Sequence, residues 1–142
     1  MKTTVRVTVG CVGLLFVVAA GGPPLAGQEK SVRPGINKAF ENPDVKEFLG
    51  KFEVESREIF ARRREIVTAC RLKPGMAVAD VGAGTGLFTR LFAPAVSPGG
   101  KVYAVDIARK FIDHIERTCR EAGIQNVTGV VCTPTSVELP PA

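Results

Sequence analysis

Apolar residues recur at helical spacing in the first third of the chain and give way to short apolar runs further on. Val45, Phe48, Leu49 and Phe52 predict a helix that starts at Asn42-Pro43-Asp44, with Asn42 as the cap, proline in the first turn and an acid behind it. Gly50 is where that helix would bend or end. A second helix is expected over about 55–71, with Ile59, Phe60, Arg63, Ile66, Val67 and Cys70 on one face and Lys73-Pro74-Gly75 as its stop. Thereafter the pattern alternates: a strand over about 77–81, a helix over 87–93 ending at Pro94, a strand over 101–105, a helix over 108–122 closed by Gly123, and a strand over 127–132. Phe111, Ile112, Ile115 and Cys119 form the inward stripe of the last helix. Strand–helix repeats of this kind give an α/β fold with a parallel sheet and right-handed crossovers. The expected architecture is a doubly wound sheet, truncated after about three strands and preceded by N-terminal helices. Ala77, Val78, Ala79 and Val81 read as a strand buried on both faces, so three strands would leave its far edge open unless a partner chain completes the sheet.

The N-terminus follows a different pattern. Lys2 and Arg6 precede an apolar run from Val7 to Ala20, which Gly21-Gly22-Pro23-Pro24 break. This layout predicts a signal peptide over residues 1–27, or an uncleaved anchor that tethers the chain to a membrane. Export to the periplasm or beyond is the expected localisation. Residues 28–41 read as a linker. In the 142-residue chain the net charge is +5, and it falls to +3 when Lys2 and Arg6 leave with the leader. That excess is small and lacks interleaved aromatics, so no nucleic-acid partner is expected. Arg62-Arg63-Arg64 reads as a solvated helix face beside Glu58 and Glu65. The cysteines match no zinc spacing, and Cys119 and Cys132 read as small core residues. No metal site is expected.

The chemistry concentrates at Asp80-Val81-Gly82-Ala83-Gly84-Thr85-Gly86, between the first apolar strand and its helix. Alternate glycines let the loop take dihedrals closed to other residues and let a ligand approach the backbone. Asp106 ends the next strand, where a carboxylate can take both hydroxyls of a ribose. This is a Rossmann-like arrangement for a nucleoside, but the glycine spacing is one residue shorter than the dinucleotide fingerprint. Asp80 would also repel a pyrophosphate. A carboxylate there suits an ammonium group, which favours S-adenosylmethionine over NAD.

Ala79 to Gly86, followed by Val102-Tyr103-Ala104-Val105-Asp106, resembles the first and second motifs of class I S-adenosylmethionine-dependent methyltransferases. Ser56 to Arg63, leading into Leu72-Lys73-Pro74-Gly75, is similar to a subgroup of bacterial methyltransferase-domain proteins, some of which carry signal peptides. The resemblance covers about residues 40–140 and the N-terminal half of that family's fold, which assigns 42–142 to half a domain. It implies cofactor-binding roles for Asp80 at the methionine amino group, for Gly82, Ala83, Gly84, Thr85 and Gly86 beneath the cofactor, for Asp106 on the ribose, and for Ile107 against the adenine. Asp106 can also cap the helix that follows. The family's acid after the third strand is missing here, which leaves Thr133 or Ser136 as a weaker acceptor, or the backbone in that role. Arg57 and Phe60 would cover the cofactor.

Methyl transfer needs a positioned nucleophile and a dry site more than a special side chain. His114 lies mid-helix beside Asp113 and Glu116 and reads as a surface residue. No catalytic residue is named. The sequence therefore implies the cofactor-binding half of a methyltransferase acting on a small molecule or an envelope component. Its alternatives are a truncated, non-catalytic cofactor or partner module and an aminopropyl transferase sharing the same core. Export would also separate the protein from the cytosolic source of its cofactor.

Overall fold

In the computed structural model, residues 6–9 and 38–140 are described. The elements in chain order are β1 (Arg6–Val9), α1 (Lys38–Glu41), α2 (Val45–Phe52), α3 (Glu58–Ala61), α4 (Arg63–Ala69), β2 (Ala77–Val81), α5 (Leu87–Ala95), β3 (Lys101–Asp106), α6 (Arg109–Glu121) and β4 (Val127–Val131). The sheet runs β1-β2-β3-β4 with every pair parallel. β2, β3 and β4 with their crossover helices are the three-strand Rossmann-like unit that the alternation predicts.

The far edge of β2 is not open, contrary to the sequence expectation. β1 pairs there from Arg6↔Val78 to Val9↔Val81. A parallel strand on that edge satisfies the backbone groups of β2 that would otherwise face solvent. The rest of the 1–27 leader segment lies outside the described residues, as does most of the 28–41 linker. Lys38–Glu41, the end of that linker, is helix α1.

Several boundaries differ for local reasons. Asp44, not Asn42, is the N-cap of α2, because its side chain accepts from the amides of Lys46 and Glu47. Gly50 does not end that helix. The expected helix over 55–71 is broken at Arg62, whose dihedrals (φ −94, ψ 13) leave the helical well between α3 and α4. Pro94 lies inside the last turn of α5, and Val96 still bonds back to Phe92.

Val102 and Ala104 are two residues apart and share a face of β3. Val78 and Val102 pack with Phe92, Ala93 and Val96 of α5 and its end, while Ala104 packs with Ile115 and Cys119 of α6. So α5 and α6 lie on the same side of the sheet, as successive right-handed crossovers require. Two glycines without positive φ make this packing close. A Cβ at Gly100 would lie 2.3 Å from the Val96 carbonyl oxygen, and one at Gly129 would lie 2.4 Å from Ile112 Cγ2. The N-terminal helices dock through aromatics: Phe48 packs on Phe40, Phe52 and, edge-on, on Phe111 of α6, with ring centroids 5.1–5.4 Å apart. That docking brings the end of α2 over the carboxyl ends of β2 and β3.

Candidate functional site

The site is built at the end of β2. Gly82, Gly84 and Gly86 all take positive φ (74°, 54° and 81°), so the loop needs glycine at each. Only Gly86 is also confined by packing, since its Cβ would sit 2.6 Å from Ile115 Cγ1. At Gly82 a Cβ would meet nothing within 4 Å. The loop is held from inside. The amides of Gly82 and Ala83 donate to the Val105 carbonyl, that of Gly86 to the Ala83 carbonyl, and that of Gly84 to Asp106 Oδ2 at 2.9 Å. Four amides of the loop are therefore bonded within the fold, while the first-turn amides of α5 remain outside this set.

Asp106 therefore braces the loop. Its other oxygen accepts from the Ala108 amide at 2.9 Å, ahead of α6. Each oxygen keeps a further acceptor position, so the carboxylate still fits a ribose diol. Asp80 is 5% exposed, and its Oδ2 accepts from the Thr89 hydroxyl at 2.7 Å. Burial pushes the Asp80 carboxyl above its ordinary value; the Thr89 bonds oppose that rise, and the neighbouring Asp106 charge adds to it. Among the described residues no cation neutralises it by an ion pair.

A cavity of about 290 Å³ opens over this floor. It brings together the predicted Asp80, Gly82, Ala83, Gly84, Thr85 and Arg57. Gly86, Asp106, Ile107 and Thr133 lie outside its lining, as does Phe60, which sits under Arg63 with the guanidinium 4.0 Å from its ring centroid. Thr133 is exposed, and its amide bonds to the Ser136 carbonyl. The remaining wall is apolar: Phe40, Phe52, Ile59, Leu87 and Phe88. Sequence reasoning assigned Phe52 to a core stripe and passed over Phe40, Leu87 and Phe88. It also missed Thr89, whose only mark was a hydroxyl on the inward face of α5, and Arg90. Arg90 Nη1 donates to the Thr85 carbonyl at 2.8 Å, while Nη2 reaches both Glu53 oxygens at 2.7 and 2.8 Å. This ties the end of α2 to the glycine loop.

His114 lines a separate open groove of about 430 Å³ with Asn42, Asp44, Lys110, Asp113 and Arg117. Partial burial, then the charges of Arg117 and Arg90, hold its pKa below the ordinary value. It does not face the glycine loop cavity. Among the described residues no cluster of His, Cys, Asp or Glu could hold a metal, and no helix is long and apolar enough to cross a membrane.

A parallel α/β sheet, a glycine loop and carboxylates at the ends of two adjacent strands make a Rossmann-like unit with its cavity at the strand ends. Comparison with known proteins makes this specific. Residues 78–142 match the family described as "Methyltransferase domain". The chain is 38% identical over 68 residues to a protein-L-isoaspartate O-methyltransferase of Aeropyrum pernix, covering 48% of this chain and 26% of that one. It is 34% identical over 99 residues to a demethylmenaquinone methyltransferase of Symbiobacterium thermophilum, covering 68% and 38%. In structure it resembles a SAM-dependent methyltransferase from Aquifex aeolicus, with a TM-score of 0.59, 26% identity, and coverage of 69% of this chain and 52% of that one. These findings support a likeness of the α/β unit to SAM-dependent methyltransferases. The chain spans well under half the length of the two curated relatives.

Proposed function

We propose that this chain supplies the cofactor-binding part of an S-adenosylmethionine-dependent methyltransferase that modifies a small, apolar acceptor. The observation that carries the cofactor reading is Asp80, a buried carboxylate with no cationic partner among the described residues, on the floor of the cavity beside the glycine loop. An ammonium ligand would relieve that charge, whereas a pyrophosphate would add to it. The fit extends to the open space beside Gly82 and the spare acceptor positions of Asp106. When bound, S-adenosylmethionine supplies an electrophilic methyl group. The residues of this chain would hold its amino acid and ribose ends, and Phe40, Phe52, Ile59, Leu87 and Phe88 would keep water from the path to it. That apolar wall, with a relative named for demethylmenaquinone, favours a small apolar acceptor over an envelope macromolecule.

Calorimetric titration of the full chain tests this. Saturable binding of S-adenosylmethionine, none of NAD, and weakened binding on Asp106→Ala are expected. A folded chain that binds NAD, or binds neither, refutes the cofactor assignment. The second reading is a cofactor module without catalysis of its own, which predicts binding without methyl transfer to a demethylated quinone.

The N-terminal run is proposed as an export signal or tether, on the strength of Lys2, Arg6 and the apolar stretch behind them. The pairing of Arg6–Val9 with β2 is a competing use of the same residues. N-terminal sequencing of the mature chain separates the two. A start near residue 28 supports export, and retention of Arg6–Val9 supports the sheet strand.

A further inference from the structure

The groove beside His114 shares no lining residue with the glycine loop cavity. It runs between residues 42–45, at the start of α2, and one face of α6, with a volume of about 430 Å³. Lys110, His114 and Arg117 stand at i, i+4 and i+7 of α6, so they share that face and span about 10 Å of it. All three line the groove.

Their hydrogen bonding leaves donors free. Arg117 Nη2 lies 3.2 Å from His114 Nδ1. A guanidinium only donates, so Nδ1 accepts and the ring proton sits on Nε2. The imidazole therefore offers a donor of its own. Arg117 approaches Glu121 through Nε at 3.9 Å, an exposed pair of little energetic weight. Among the described residues its Nη1 has no hydrogen-bond partner and Lys110 has no ion pair.

Two acids also line the groove. Asp44 is occupied, since its Oδ1 accepts from the amides of Lys46 and Glu47. Asp113 is exposed and pairs with neither Lys110 nor Arg117. Partial burial, then the charges of Arg117 on α6 and Arg90 on α5, hold the His114 imidazole below its ordinary pKa, against Glu53 after α2 and Glu121 on α6. The field at the ring is positive, and a bound anion would relieve it. A guanidinium edge, an imidazole N–H and an ammonium on one helix face suit an oxyanion, and two cations match a dianion.

We propose that the groove between α2 and α6 is a binding site for a phosphate monoester, with Arg117 and His114 Nε2 as donors and Lys110 as the second positive charge. The monoester is a free small molecule or a lipid headgroup, and the test separates the two. The site does not depend on the cofactor reading.

His114 is the one histidine of the chain, so its ring C–H resonance reports on this groove. The full chain is titrated with glycerol 3-phosphate and followed by NMR, with ionic strength held constant by sodium chloride. A saturable shift of that resonance and a rise in the His114 titration midpoint are expected, and chloride alone gives neither. Arg117→Gln is expected to weaken binding about tenfold or more, the value of a charge-assisted hydrogen bond. Lys110→Gln should weaken it less. Arg109→Gln, on α6 but outside the groove lining, should leave it unchanged. The same chains are cosedimented with phosphatidylcholine vesicles, with and without phosphatidic acid. Binding that needs both phosphatidic acid and Arg117, with no shift from glycerol 3-phosphate, assigns the phosphate to a headgroup; a saturable shift from glycerol 3-phosphate assigns it to a free ligand. No saturable shift and no such cosedimentation overturns the proposal. So does an affinity that Arg109→Gln lowers as much as Arg117→Gln, which marks general attraction to a basic surface.

Discussion

Gly82 and Gly86 belong to one motif, yet substituting alanine at each should have different consequences. Both sit at positive φ, 74° and 81°, where an L-residue costs about 1–2 kcal/mol. At Gly82 that is the whole penalty to the fold, since a Cβ there meets nothing within 4 Å. At Gly86 the Cβ would lie 2.6 Å from Ile115 Cγ1 and 3.2 Å from its Cδ1. Ile115 is fully buried between Ala83, Ala104 and Cys119 and has nowhere to retreat. Overpacking of that kind adds about 1–3 kcal/mol, so Gly86→Ala should cost about 2–5 kcal/mol in all, a large share of the stability of a small domain. Urea denaturation measures this directly, provided the slope is unchanged. Ile115→Ala removes both clashing carbons, so the Gly86→Ala, Ile115→Ala pair should cost less than the sum of its members by the overpacking share. Gly82→Ala should leave a folded protein that has lost cofactor affinity, because its methyl group enters space open to the ligand. If Gly86→Ala proves no more destabilising than Gly82→Ala, or if the cycle is additive, the account of Gly86 as a packing residue is wrong.

Asp80→Asn should abolish cofactor binding while raising the stability of the ligand-free protein at neutral pH. The raised folded pKa means that Asp80 contributes its stability below the unfolded value, 3.8, and loses it as pH rises through the folded value, a slope that asparagine removes in pH-resolved thermal melts. For the same reason cofactor affinity in the wild type should fall on acidification, as Asp80 takes up the proton that the ammonium must displace. Arg90→Ala should destabilise by about 1–3 kcal/mol, because it strips the Thr85 carbonyl and leaves the half-buried Glu53 carboxylate unpaired. Glu53→Gln, which keeps an acceptor for Arg90, should cost less in the same denaturant titration.

The parallel unit was legible because its information is local. Apolar runs, helical stripes and the glycine spacing each report on their own segment, and Phe111, Ile112, Ile115 and Cys119 are all buried on α6 as the stripe predicted. Motif position also placed Asp80, Gly82 to Thr85 and Arg57 near one another, and the fold brings them to one cavity. The apolar wall was not. Phe40 and Phe52 line the cavity only because Phe48 docks α2 on Phe111, a contact between residues far apart in sequence. Nothing in the spacing of Val45, Phe48, Leu49 and Phe52 separates a side chain that faces the core from one that faces a ligand. The break at Arg62 escaped notice because the apolar stripe of Ile59, Phe60, Ile66 and Val67 continues across it. The edge strand escaped for another reason: Arg6–Val9 carries the pattern of a leader segment, and pattern alone does not say which use the chain makes of it.

Asp106 shows why the site cannot be tested by deletion alone. Read from sequence, it holds a ribose; in the fold, it also fastens Gly84 and Ala108 through their amides. Asp106→Ala would thus loosen the loop and remove the diol acceptor together, and weaker binding would not say which mattered. The ligand has to be varied with the residue. If Asp106 binds the ribose, the wild type should prefer S-adenosylmethionine over its 2′,3′-dideoxy analogue, and Asp106→Ala should bind the two alike, with the preference gone. If Asp106 serves only as a brace, the variant should lose the same factor for both ligands and keep whatever preference the wild type had. The second result would leave the loop architecture standing and move ribose recognition elsewhere on the strand ends of the sheet.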